Sequence, residues 1–153
     1  MTLENTNLLS LFFMATKIPK NYKPTAKEKY MCAKHKAYFK QLLFNWKKEL
    51  IEQNNRIIFN DMDDNSASAD VVDQATSVTG KTVEMRTVNR NKKLINKIDS
   101  AVKRIEEGTY GYCEETGEEI GLKRLMARPI ATLTIEAQEK HEKQEKIFAE
   151  DKQ

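Results

Sequence analysis

The sequence predicts a mainly α protein: a long antiparallel coiled-coil hairpin, then a small turn-rich knob and a C-terminal helix. Three observations lead there. Two amphipathic patterns, residues 33–65 and 72–107, meet at the polar, acidic stretch Ser68-Ala69-Asp70-Val71-Val72-Asp73-Gln74-Ala75. Four of the five glycines fall between Gly108 and Gly121. Beyond Thr134 the charges alternate with no helix breaker. The expected divisions are 1–32, an N-terminal extension and arm; 33–107, the hairpin with its tip at 68–75; 108–134, the knob; and 135–153, the terminal helix.

Residues 14–32 hold Pro19 and Pro24 with little apolar periodicity, so they read as an extended arm. Before them, Leu8-Leu9-Ser10-Leu11-Phe12-Phe13 is apolar but too short to span a bilayer, and no basic segment precedes it. Residues 1–13 read as an upstream extension, with Met14 as an alternative start, and no membrane association is expected.

The first helix is carried by Phe39, Leu43, Trp46, Leu50 and Ile57, flanked by Leu42 and Ile58. The second carries Val88, Ile95 and Val102 seven apart, offset from Ile98 and Ile105, also seven apart. Two such seams joined by a short polar turn describe an antiparallel coiled coil. Asn91 interrupts the second seam; a polar residue there weakens the contact but can fix register. At a rise of ~1.5 Å per residue each arm reaches roughly 50 Å, a device for acting at a distance.

In the knob, Tyr110, Tyr112, Ile120, Leu122, Leu125, Ile130 and Leu133 supply a small core between glycine turns. Thr134 is the expected N-cap of the terminal helix.

The net charge of +3 is too small to argue for nucleic acid, and its distribution is uneven. Asp61, Asp63, Asp64, Asp70 and Asp73 crowd the turn, while Arg86, Arg90, Lys92, Lys93, Lys97, Lys103 and Arg104 line the returning arm. Phosphates would repel an acidic tip, so it suits a basic surface or a metal ion, and no direct sequence-specific DNA binding is expected. Cys32 and Cys113, the only cysteines, make no disulfide framework and fit a cytoplasmic setting. His35 and His141 lie in charged helical stretches without Cys or His partners at ligand spacing and read as surface residues. No nucleophile–base pair, phosphate loop or carboxylate dyad emerges, so no catalytic residues are expected.

The run Gly111-Tyr112-Cys113-Glu114-Glu115-Thr116-Gly117-Glu118-Glu119-Ile120-Gly121-Leu122-Lys123-Arg124-Leu125-Met126-Ala127-Arg128-Pro129, with the tip Asp70-x-x-Asp73-x-Ala75, resembles the DksA family of bacterial RNA polymerase secondary-channel regulators. The likeness extends from about Lys17 onward. It implies a monomeric, non-enzymatic transcription factor whose coiled coil enters the polymerase channel and alters promoter open-complex stability. Asp70, Asp73 and Ala75 would then act near the polymerase active centre; from the residues alone, Asp70 and Asp73 also suit an N-cap and first turn. The resemblance also implies a site for the alarmone ppGpp, the effector of the stringent response, through Lys97 and Arg128. A third basic position of that site is here the neutral Gln138.

The departure concerns metal. Members of the family commonly hold zinc with Cys-x2-Cys, seventeen residues, Cys-x2-Cys; here those positions are Cys113, Thr116, Thr134 and Ala137, which resembles the single-cysteine members. A threonine hydroxyl is a poor substitute for thiolate, so this is a degenerate zinc finger, zinc is not expected, and Thr116 and Thr134 would hydrogen-bond in its place. Glu114 and Glu115 should raise the Cys113 pKa and leave it an inert structural thiol. Two other readings are an accessory factor for transcript cleavage, with tip carboxylates holding Mg²⁺, and a coiled-coil adaptor unrelated to polymerase.

Overall fold

The computed structural model describes the backbone of Pro19, residues 22–63 and residues 71–150, with side chains for Pro19, 22–59 and 80–148. The Leu8–Phe13 run, Met14 and Asp70 lie outside the described residues, as do the side chains of Asp73 and Ala75. Among the described residues four helices follow one another: α1 (Ala33–Asp63), α2 (Val71–Glu107), α3 (Leu122–Ala127) and α4 (Ile135–Glu150). Residues 71–75, expected as part of the turn, already belong to α2, which makes Asp73 its third residue.

The chain forms two compact units, one of Leu43–Ser100 and the other of the residues before and after. In the first of these, α1 and α2 pair antiparallel. Lys47 Nζ meets Asp99 Oδ1 at 2.6 Å, and Asn91 Nδ2 donates to Asn54 Oδ1 at 2.8 Å. Seven residues forward on α1 thus match eight residues back on α2, about two turns of each helix run in opposite directions. Leu43, Leu50, Val88 and Ile98 are buried along it, while Trp46, Ile57 and Ile95 are half-buried.

The other unit gathers the start of α1, the end of α2, the knob and α4 around Phe39, Ala101, Ile105, Tyr110, Ile120 and Leu125, all at or near complete burial. Phe39 lies against Tyr110 with ring centroids 5.5 Å apart. Each large side chain buried this way contributes about 1.5–3 kcal/mol. The Tyr110 hydroxyl donates to the Pro129 carbonyl at 2.7 Å, which satisfies that buried polar atom. Tyr112, expected in the core, is exposed instead; its ring packs edge-on to Tyr30 at 5.7 Å.

α2 ends where Gly108 takes φ +82°, letting the amides of Thr109 and Tyr110 return to the Arg104 carbonyl at 3.0 and 3.1 Å. Thr134 caps α4, its hydroxyl accepting the Ala137 amide at 3.4 Å, as its place before the charged run predicts.

Residues 22–32 do not extend as an arm. They turn on bonds from the Glu28 amide to the Thr25 carbonyl and from the Cys32 amide to the Lys29 carbonyl, at 3.3 and 3.1 Å. Met31 is buried, with a left-handed φ of 47°. The Tyr30 hydroxyl sits between the carbonyls of Gly111, at 2.6 Å, and Ile120. The segment carries too few apolar residues to show a period, yet two of them find partners in the knob.

Candidate functional site

The knob is built on a two-sided turn. Tyr112 and Glu119 form an antiparallel bridge, the Cys113 amide bonds the Glu118 carbonyl at 2.8 Å, and the Ile120 amide bonds the Gly111 carbonyl at 2.7 Å. Between them Gly117, at φ +71°, closes the turn with its amide on the Cys113 carbonyl. Across the knob the Glu114 amide reaches the Thr132 carbonyl at 3.0 Å, which brings Thr134 and α4 alongside Cys113.

The four finger positions are therefore close to one another. Thr134 Oγ1 lies 4.0 Å from Cys113 Sγ and also accepts the Ala137 amide; Ala137 is buried and has no side-chain donor atom. Thr116 Oγ1 lies 3.3 Å from the Glu118 carboxylate and accepts the Glu118 amide at 3.4 Å. One thiol, two hydroxyls already engaged and a methyl do not fit a four-ligand zinc site.

Burial pushes the Cys113 thiol up, but hydrogen bonds from the Thr116 side chain and from the backbone of Thr116, Thr134 and Glu115 outweigh it and bring the pKa down to about 7. The expectation of a raised value is thus overturned. Charge–charge repulsion from Glu114 and Glu115 was the wrong cause to weigh, because donors aimed at the sulfur act at contact distance.

Lys97 is exposed on α2, and Arg128 is exposed at the C-terminal cap of α3. Neither side chain makes a hydrogen bond or ion pair among the described residues. Gln138, half-buried in the first turn of α4, donates to Glu142 Oε1 at 2.8 Å. His141 is exposed, 3.4 Å from Glu145.

His35 is not a surface residue. It is fully buried on the first turn of α1, with Nε2 at 3.3 Å from Oε2 of Glu28. Donor atoms of Glu28, Cys32 and His35 lie within 4.8 Å of one another, a cluster that the sequence reading missed. The signal was the spacing Cys32-x2-His35 at a helix start, which places both side chains on one face.

Residues 35–105 match the family described as "DnaK suppressor protein DksA, N-terminal domain", and residues 108–143 match "Prokaryotic dksA/traR C4-type zinc finger". The chain is 45% identical over 131 residues to the RNA polymerase-binding transcription factor DksA of Caulobacter vibrioides, covering 86% of this chain and 92% of that protein. It is 35% identical over 144 residues to the protein of the same name in Escherichia coli K12, covering 94% of each. The solved structure of transcription factor DksA2 from Pseudomonas aeruginosa superposes with a TM-score of 0.72 at 36% identity, covering 92% of this chain and 97% of that one. A seam of buried apolar residues between two long helices, a glycine-turned knob packed on their base and these matches along nearly the whole length agree: the chain belongs to the DksA family.

Proposed function

We propose that this protein binds bacterial RNA polymerase in the cytoplasm and regulates transcription, its paired helices entering the secondary channel so that Asp70, Asp73 and Ala75 alter promoter open-complex stability. The observation that carries this reading is a stripe on α1. Phe44, Ile51 and Ile58 recur seven apart and are exposed at 51%, 41% and 46%. Val83 and Met85 on α2 add further exposed apolar surface. Helices that pair through one face and leave a second apolar stripe open are suited to a protein partner. The relatives' printed names supply the partner, RNA polymerase.

In this reading the protein acts as a monomer without catalysis of its own and without direct DNA recognition. Asp70 and Asp73 bring negative charge to a polymerase centre that handles cations, and Ala75 is small enough to leave the channel wall room. Lys97 and Arg128, both exposed and free of partners among the described residues, serve as phosphate contacts for ppGpp together with the polymerase rim. The knob works without zinc at the finger positions, its turn held instead by the Cys113, Thr116 and Thr134 hydrogen bonds.

The test is transcription in vitro from a ribosomal promoter, with polymerase binding measured alongside. The Asp73→Asn protein, with Asp70 retained, should bind polymerase as the parent does yet lose inhibition. Its stability should fall by only about 0.3–1 kcal/mol, the worth of one carboxylate in a first helical turn. Full activity in the variant, or a loss of binding that accounts for the loss of inhibition, rejects the assigned role. Faster transcript cleavage in stalled complexes would instead favour a cleavage factor.

A further inference from the structure

We propose that Glu28, Cys32 and His35 form a binding site for a divalent transition metal of the zinc class, separate from the four finger positions. His35 is fully buried, and neither ring nitrogen has a hydrogen-bond partner among the described residues. A buried imidazole in that state is costly unless something satisfies it. Its Nε2 lies 3.3 Å from the Glu28 carboxylate without forming a hydrogen bond to it, and the Cys32 sulfur completes a trio of donor atoms within 4.8 Å of one another.

The donor set selects the metal. Thiolate, imidazole and carboxylate together are zinc ligands, whereas Mg²⁺ and Ca²⁺ take oxygen. The thiolate and the carboxylate carry two negative charges, which cancel those of the ion and leave no net charge beside the buried ring. Tetrahedral bonds of about 2.0–2.3 Å set ligand atoms about 3.3–3.8 Å apart, so the His35–Glu28 separation already fits and the longest separation must close by about 1 Å. The backbone allows that closure. His35 is fixed on α1, but Glu28 and Cys32 stand in the turn before it, and both are half-exposed.

Neighbouring side chains orient the carboxylate. The Tyr22 hydroxyl donates to Glu28 Oε2, and Lys34 Nζ lies 3.3 Å from the other oxygen, Oε1. Oε2 keeps a second lone pair for the ion, and hydrogen-bonded carboxylates of this kind are the usual support of a metal site. The half-exposed rim leaves the fourth coordination position to water. A bound ion would pin residues 22–32 to the start of α1.

The experiment titrates the full chain, reduced and stripped by chelator, with Zn²⁺ alone, and repeats the titration with Co²⁺ to read its thiolate absorption. One equivalent should bind with a cobalt–thiolate band. Cys32→Ser should abolish the band, and both Cys32→Ser and Glu28→Gln should weaken affinity by more than about tenfold, while Cys113→Ser leaves band and affinity unchanged. These two ligands are chosen because His35 lies in the core, and melting curves in metal-free buffer check that the variants fold. Absence of binding overturns the proposal, as does binding that follows Cys113 instead of Cys32. Neither result bears on polymerase binding.

Discussion

Asn91 on α2 donates its side-chain amide to the side-chain carbonyl of Asn54 on α1 across 2.8 Å, inside an otherwise apolar seam. Asn54 is buried, only 8% exposed, and Asn91 is half-buried. The pair therefore satisfies itself where water has little access. Any shift of one helix along the other would separate the two amides and bury them unpaired. The contact consequently specifies register more than it adds stability.

Replacing Asn54 by Leu alone should destabilise the protein by about 1–3 kcal/mol, because Asn91 keeps its desolvation cost without a partner. Replacing both asparagines by Leu should recover most of that loss or exceed the parent. Urea midpoints of the two single variants and the double variant measure the coupling. Additive losses would show that the amides act independently.

Gly111 has φ +94°, and a Cβ there would stand 2.7 Å from Met31 Cε, 2.9 Å from Met31 Cγ and 3.0 Å from the Tyr30 hydroxyl. Gly111→Ala therefore combines left-handed strain of about 1–2 kcal/mol with a clash against the segment before α1. The expected result is a loss of more than about 1–2 kcal/mol, with new proteolytic cleavage between residues 22 and 32. Gly117→Ala makes the control, since its φ is also positive at +71° but, beyond its own chain neighbours, no described atom lies within 4 Å of its added methyl. It should lose stability without exposing that segment.

Cys113 should titrate near pH 7, read by thiolate absorbance in a Cys32→Ser background so that one sulfur reports. Thr116→Val should move the midpoint upward by removing the side-chain donor. The folded pKa is lower than the ordinary thiol value of 9.0, so the stabilisation is complete above pH 9 and is lost as pH falls through about 7. The stability gap between this protein and its Cys113→Ser derivative should accordingly widen from pH 6 to pH 9. A gap that is flat over that window would mean that the sulfur is not held as thiolate by its neighbours.

Gln138→Lys should shift the ppGpp titration of promoter inhibition to lower concentration, and Lys97→Ala should remove most of the response. A charge-assisted phosphate contact is worth about 1.5–3 kcal/mol, and about 1.4 kcal/mol is tenfold in affinity. Glu142, which now receives the Gln138 amide at 2.8 Å, will compete for the new ammonium, so the shift should fall toward the lower end. Inhibition without ppGpp should not change. Midpoints that stay put in both variants would make these residues ordinary surface groups.

The helices and the glycine-turned knob were legible from local pattern. Heptad spacing placed Leu43, Leu50, Val88 and Ile98 in a seam, Gly108 marked the end of α2, and Thr134 marked the start of α4. Each is a property of residues a turn or two apart, which the backbone's own geometry decides. The family motif and its lost cysteines were equally a matter of reading positions in order. Tertiary structure alone decided the rest. Tyr30 bonds the Gly111 carbonyl from 81 residues away, and that docking makes residues 22–32 of the expected arm part of the core unit. It also decided that His35 is buried beside Glu28 and Cys32, that Tyr112 stays outside, and that Cys113 is surrounded by donors rather than dominated by the adjacent glutamates. Burial and pKa depend on which groups stand within a few ångströms, and chain folding sets those neighbours without regard to their separation in sequence.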